Sequence, residues 1–175
     1  MSDIKTAIID AAERRIQLGG FGGFSFREIA ADVGIKSSSV HYHFPTKEDL
    51  AAAVVRRWRE ITSEHIDEAL QKDPNPSRVW RNAFRGTARS QGHICPCTVL
   101  AAAAQDLPEQ VATEVKGFFR MCENKMIAQG LSKAEASRLL SALIGALVVA
   151  TALGDSAEYD RATADFARQR KSELA

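Results

Sequence analysis

The stretch "GIKSSSVHYHFPTKEDL", Gly34 to Leu50, decides how the rest of the chain is read. Three serines run into a His-Tyr-His-Phe cluster, and a proline corner leads into Thr-Lys-Glu-Asp. Pro45 disfavours helix at the residue before it, so a very short helix opens at Ser37 or Lys36 and closes ahead of Pro45. Val40 and Phe44 stand four residues apart on that helix and share its inward face. Ser37, Ser38, His41 and Tyr42 then point outward, with Ser39 and His43 at the flanks. His41 and His43 also invite a metal reading. Two residues apart on a helix, however, they diverge by roughly 200°, and no Cys or acidic partner follows at zinc-finger spacing. The metal reading is the weaker one, and no metal or other cofactor is expected.

Working outward from Gly34, the pattern is helical throughout. Upstream, Ser25 is an N-cap and Glu28 completes a capping box. They open a short helix with Ile29, Ala30 and Val33 on one face, stopped by Gly34. Before it, Ile4, Ile8, Ala11, Ala12 and Ile16 recur at helical spacing from about Asp3 to Leu18. "GGFGGF", Gly19 to Phe24, ends that helix. Downstream, Thr46 caps a long helix to about Gln71, with Asp49 at its third position and Leu50, Val54, Trp58 and Ile61 inside. "KDPNPS", Lys72 to Ser77, is the clearest break. A helix from Ser77 to Gln91 follows, then "GHICP", then a helical "CTVLAAAAQ". Another helix runs from Pro108 to Gln129. A second capping box, Ser132 with Glu135, opens an apolar helix to Leu153. A last amphipathic helix spans Ser156 to about Ser172, with Tyr159, Ala162 and Phe166 inward. The expected fold is all-α, about nine helices, with a helix-turn-helix head over residues 1–60 and a helical domain over 61–175.

Two short helices around a glycine-centred turn form a helix-turn-helix, whose second helix enters the DNA major groove. Small hydroxyls beside an imidazole and a phenol permit close backbone approach and still offer hydrogen bonds to bases and phosphates. Lys47, opening the next helix, can reach a phosphate with its side chain or its backbone N–H. Bulk charge neither supports nor opposes this: the chain carries 23 basic and 22 acidic residues. Nine basic and eight acidic residues in the first sixty give 9 − 8 = +1. Any DNA surface must therefore come from local placement.

The rest of the composition excludes several classes. At 45% apolar and 26% charged residues, the chain is too apolar to be disordered. No secretory signal opens it. The greasiest run, Leu139 to Leu153, is shorter than the ~20 residues a bilayer needs, so it reads as a buried helix and no membrane partner is expected. Three cysteines without an export signal read as reduced thiols in a cytoplasm. The chain is not read as an enzyme, since no glycine-rich cofactor loop or β-α-β layout accompanies the Cys-Pro-Cys segment of a rival thiol oxidoreductase. A second rival is a helical dimer with a degenerate head. Strong salt dependence of DNA binding separates both from a DNA-binding regulator.

"FREIAADVGIKSSSVHYHFPTKEDL" resembles the N-terminal domain of the TetR/AcrR family of bacterial transcription regulators. The likeness rests on Ile29-Ala30, Gly34-Ile35, Tyr42-His43-Phe44, and Lys47 with Leu50 after the proline corner. "IIDAA", Ile8 to Ala12, and Gly20-Phe21 add to it. Three positions depart from the pattern: Lys36 leaves helix capping to Ser37, His41 replaces a common tyrosine, and Arg15 replaces an apolar residue and is expected to snorkel. The resemblance implies a homodimer on a pseudo-palindromic double-stranded operator, and repression relieved by a small-molecule effector. The long fourth helix would tie the ligand domain to the head. The expected DNA-contacting residues are Arg27, Lys36, Ser37, Ser38, Ser39, His41, Tyr42, His43 and Lys47.

For the effector, Trp58, Phe84 and Phe118 are the aromatic residues expected to line a cavity, though any helical core uses such residues. "HICPCT", His93 to Thr98, resembles a segment of electrophile-responsive members of the family. Cys97, just after Pro96 at a helix start, is placed where the dipole favours thiolate, so Cys97 or Cys95 is expected to meet oxidants or electrophiles. Cys122 lies on an apolar face and reads as inert. Ala142, Gly145, Ala146 and Ala150 allow close helix approach, and with the last helix would build the dimer interface. "RQRKSEL", Arg168 to Leu174, reads as a solvated tail.

Overall fold

The structure is a computed structural model, and it describes residues 4–89 and 94–167. Among those residues there are ten α-helices, two 3-10 turns and no strand. The helices are α1 (Ile4–Gly19), α2 (Phe26–Val33), α3 (Ser37–His43), α4 (Lys47–Lys72), α5 (Pro76–Arg89), α6 (Pro96–Ala101), α7 (Glu109–Ala128), α8 (Lys133–Leu153), α9 (Ser156–Ala162) and α10 (Ala164–Ala167). They form two compact units. The first holds residues up to Ile61 together with Cys95–Arg120; the second holds Thr62–Ile94 and Met121 onward. Two of the three divisions fall inside a helix, α4 and α7.

In the first unit, the core is the face predicted from spacing. Ile8, Ala11, Ala12 and Ile16 of α1 are fully buried, with Ile29 of α2, Val40 of α3, and Leu50, Ala51, Val54 and Val55 of α4. Capping fixes where the short helices begin. Ser25 Oγ accepts from the Glu28 N–H, and the Glu28 carboxylate accepts from the Ser25 N–H and hydroxyl. Gly34 closes α2 in the left-handed region at φ 76°, and Ile35 N–H bonds back to Ala30 O at 2.9 Å. That closure sets the turn between α2 and α3, and a side chain there would carry the strain of the left-handed basin.

Helix α3 departs from expectation at its start. Its N-cap is Lys36, in extended geometry and without a side-chain cap; Ser37 is the first helical residue and does not cap. A Lys36→Thr variant should supply the missing acceptor at a position already in N-cap geometry. The expected gain is about 1 kcal/mol in urea unfolding, and Lys36→Ala should bring none.

Arg15 does not snorkel. It forms ion pairs with Asp32 and Glu28, tying α1 to α2. Arg57 does the same between α4 and α1, through Asp10 at 2.6 Å and Glu13 at 2.7 Å. Arg56 and Arg59 both meet Glu114, fixing the start of α7 on α4.

In the second unit, α8 opens on its Ser132–Glu135 box and closes at Gly154. At 21 residues it is long and apolar enough, by length and composition, to cross a bilayer. Leu139, Leu140, Leu143, Ala146, Leu147 and Ala150 are nevertheless buried, and the helix packs on α5 and α9. Of the four small residues expected at a helix interface, Ala146 and Ala150 face this core, Ala142 is half-buried, and Gly145 is exposed.

Two boundaries and the burial of several residues differ from the sequence reading. "CTVLAAAAQ" is not one helix: α6 ends at Ala101 and a 3-10 turn follows over Ala104–Asp106. Ala102, Ala103 and Ala104 are exposed, so helix propensity had no burial to support it. The last helix breaks at Thr163, the C-cap of α9 at φ −112° and ψ 14°, whose carbonyl and hydroxyl accept from Arg81 Nε. Thr163, four residues after Tyr159, takes the inward place expected of Ala162, which is exposed, and Phe166 is half-buried. Ile61 is 53% exposed rather than inside, and Ile66, three turns on from Val55, is buried instead. The expected ends of helices at Asp3, Gln91 and Ser172, His93, and the charged tail lie outside the described residues.

Candidate nucleic-acid interface

The sequence places two anchors under α3, and the structure seats both: Val40 is 0% and Phe44 4% exposed. With that face pinned, helical geometry turns Ser38, His41 and Tyr42 outward. All three are exposed, and Tyr42 reaches 85%. Ser37, Ser39 and His43 are half-buried at the flanks. An exposed phenol of that extent contributes little to folding, since burying an aromatic would stabilise the chain and leaving it out does not. The strip is stiffened from beneath. The His41 ring meets Phe26 edge-on at 4.6 Å, and His43 meets Tyr42 at 5.2 Å, both between ring centroids.

Arg27, in the first turn of α2, and Lys36, before α3, are exposed cations beside the strip. The acids of α2 are occupied elsewhere. A hydrogen bond from Arg15 holds the Asp32 carboxyl below its usual range, against some desolvation. The Glu28 carboxyl is likewise held down, chiefly by the Ser25 hydroxyl. Lys47 behaves differently from the expectation that its ammonium reaches outward. Its Nζ lies over the rings of Phe21 and Phe24, 4.7 and 4.6 Å from their centroids. Its backbone N–H still opens α4, where Thr46 and Asp49 cap each other. A helix start of this kind favours an anion.

The residues expected to meet an effector are divided between the two units. Trp58, half-buried, and Phe118, buried, belong to the first unit, as do Cys95 and Cys97; Phe84 is buried in the second. A cleft of about 240 Å³ in the second unit is lined by Leu131, Leu139 and Phe166 with Arg138, and by none of those five.

At the start of α6, Cys95 and Cys97 are buried thiols. The dipole argument pointed to Cys97, but α6 has only six residues. The Cys95 thiol is lowered. Burial pushes it up, and hydrogen bonds from the Cys97 thiol, the N–H groups of Thr98 and Cys97 and the Thr98 hydroxyl hold it below its ordinary value.

Two residues that matter structurally were not singled out from sequence. Arg57 sits between the buried Val54/Val55 pair and Trp58, and Arg81 is buried at 8% exposure. For Arg15 a signal existed: it follows Ile8, Ala11 and Ala12 in the inward register, and Glu28 and Asp32 share one face of α2.

Comparison with known proteins agrees with this geometry. Residues 8–54 match the profile "Bacterial regulatory proteins, tetR family". Over 157 residues the chain is 28% identical to the HTH-type transcriptional regulator LmrA of Bacillus subtilis (strain 168), spanning 81% of this chain and 82% of that protein. A TetR-family transcriptional regulator from Agrobacterium tumefaciens superimposes with a TM-score of 0.83 at 30% identity, covering 94% and 95% of the two chains. A TetR transcriptional regulator from Legionella pneumophila does so at 0.86 and 26%, covering 95% and 96%.

Proposed function

The chain belongs to the TetR family of bacterial transcriptional regulators, and from that premise we propose that it is a cytoplasmic repressor released from its operator by a small molecule. The observation that carries this reading is the exposed Ser38–His41–Tyr42 strip, seated on buried Val40 and Phe44. In this reading Ser37, Ser38, His41 and Tyr42 meet base edges and nearby phosphates. Arg27, Lys36, Ser39, His43 and the Lys47 N–H hold the phosphate backbone. Lys47 contributes its N–H rather than its ammonium, which rests on two rings.

The active form is a homodimer. Along α8, Ser141, Gly145, Val148, Val149, Ala152 and Leu153 are exposed, and Leu153 reaches 65%. A stripe this apolar is suited to a second copy. Two copies related by a twofold axis would place two α3 helices in successive major grooves, about 34 Å apart, on a pseudo-palindromic site. The effector would act through the helical domain, with Trp58, Phe84 and Phe118 as aromatic contacts, or covalently at Cys95 or Cys97. We assign the chain no catalytic role.

Salt titration tests the reading. Binding to a duplex recovered by in vitro selection should weaken steeply as salt rises, each neutralised phosphate adding about −0.9 to the slope of log affinity on log salt. Lys36→Ala should flatten the slope by about one step per half-site across all duplexes. A slope near zero would overturn the proposal.

A further inference from the structure

Deepening the DNA-binding reading, on which it rests, we infer that Phe26 is a positioning residue for base recognition: it holds the His41 imidazole in one orientation, so that base preference at the pair facing His41 is set from α2. The contact is a ring pair. The two centroids stand 4.6 Å apart with an interplanar angle of 70°. Edge-to-face pairs favour about 4.5–7 Å, so this one lies at the close end of the range. Phe26 is buried and His41 is exposed. One ring belongs to the core and the other to the surface offered to DNA.

The seat of Phe26 is itself fixed. It is the first residue of α2, directly after the Ser25 N-cap, and lies inside the Ser25–Glu28 capping box. Ile29, three residues on, is fully buried. The turn into α3 is closed by Gly34 and by the Ile35 N–H on the Ala30 carbonyl, and α2 packs on α3. Val40, beside His41 in the chain, is 0% exposed. Phe26 therefore cannot follow the imidazole outward; a change of His41 rotamer has to break the contact.

The second ring of the strip is held differently. Tyr42 is 85% exposed, and its ring meets His43, its neighbour on the same helix, at 5.2 Å. The Phe26–His41 contact instead ties the imidazole across the turn to another helix. Exposed side chains exchange rotamers within nanoseconds, and ordering one on binding costs entropy. A ring already held loses less, and it presents its nitrogens along fixed directions. Base pairs differ in where donors and acceptors lie in the major groove, so a fixed imidazole separates them better than a mobile one.

Two readouts on the whole protein test this. The first needs no DNA. Proton–carbon NMR of the histidine rings should show a His41 signal displaced by the Phe26 ring current, identified by its loss in His41→Ala. Phe26→Leu should return it toward the position of a solvated imidazole, and Phe26→Tyr should keep it displaced. The second is base preference. Each base pair of a duplex recovered by in vitro selection is replaced in turn, and affinity is measured at fixed salt. His41→Ala should reduce discrimination at one pair in each half-site from about tenfold or more to about twofold or less. Phe26→Leu should flatten the same pair and leave the others unchanged. The double variant should do no more than either single one, as for residues acting as a unit. Phe26→Tyr should restore discrimination. Should leucine unfold the head in urea, Phe26→Met gives the same contrast. An unmoved His41 signal, a base profile that His41→Ala or Phe26→Leu leaves unchanged, or a Phe26→Leu profile flattened equally at every pair overturns the inference. In each of those cases, steep salt dependence of binding by the unaltered protein keeps the DNA-binding reading. A chain that selects no duplex refutes that reading and removes this inference with it.

Discussion

Replacing Ser37, Ser38, His41 and Tyr42 together with alanine should reduce affinity for the selected duplex by about 10³-fold or more, to the level of random DNA. Good base-edge pairs each discriminate by about 1–3 kcal/mol, so losing several removes most of the gap between specific and non-specific binding. Folding should be almost untouched. Ser38, His41 and Tyr42 are exposed, Ser37 is half-buried, and alanine is a better helix former than any of the four. Fluorescence anisotropy at one fixed salt concentration, paired with a urea unfolding curve, reads both quantities. Affinity within about twofold of the unaltered protein, with the fold intact, would remove α3 as the reading helix. Tyr42→Phe isolates the phenol oxygen. It should cost the share of one hydrogen bond, about 1 kcal/mol, if that oxygen meets DNA.

Arg81→Ala should be among the most damaging single changes to stability, lowering it by about 3 kcal/mol. The Arg81 Nε donates to the Thr163 carbonyl and hydroxyl, both at 3.0 Å, and an Nη donates to Asp160 at 2.8 Å. The Tyr159 hydroxyl donates to the Arg81 carbonyl at 2.9 Å, and burial pushes that phenol above its usual range. One guanidinium thus ties α9 and its C-cap Thr163 to α5. Its loss leaves a buried carbonyl and hydroxyl without their donor, and that desolvation penalty exceeds the value of the bonds themselves. Arg81→Lys should recover little, because one ammonium does not reproduce the planar fork that spans Thr163 and Asp160. Denaturant unfolding should show a lower midpoint at unchanged slope. A midpoint within experimental scatter of the unaltered protein would show the network to be incidental.

Much of the head was readable from spacing. Val40 and Phe44 sit four apart before a proline, and no other helical register buries both. Ser25–Glu28 and Ser132–Glu135 carry their own capping geometry in four residues. Gly34 marks its turn because a left-handed residue is needed there. Each of these signals is local, spanning one helical turn or less. What was missed depends on residues far apart in the chain. Arg15 pairs with residues of α2, Arg81 meets Thr163 eighty-two positions on, and Lys47 rests on rings that precede the helix-turn-helix.

The sequence by itself determined where helices begin and end in the head, which face of α3 is turned outward, and the family. Caps, glycine turns and 3.6-residue periodicity act over a few residues and need no knowledge of the rest of the chain. Only the tertiary structure decided that the last helix breaks at Thr163, that Ile61 is exposed, and that the Cys95 thiol is held below its ordinary value. In each case the deciding surroundings are fixed by packing: a guanidinium set against Thr163, a surface left uncovered, a sulfur surrounded by donors. Such partners compete with local propensity at comparable free energy, so the outcome is settled only once the helices are in contact.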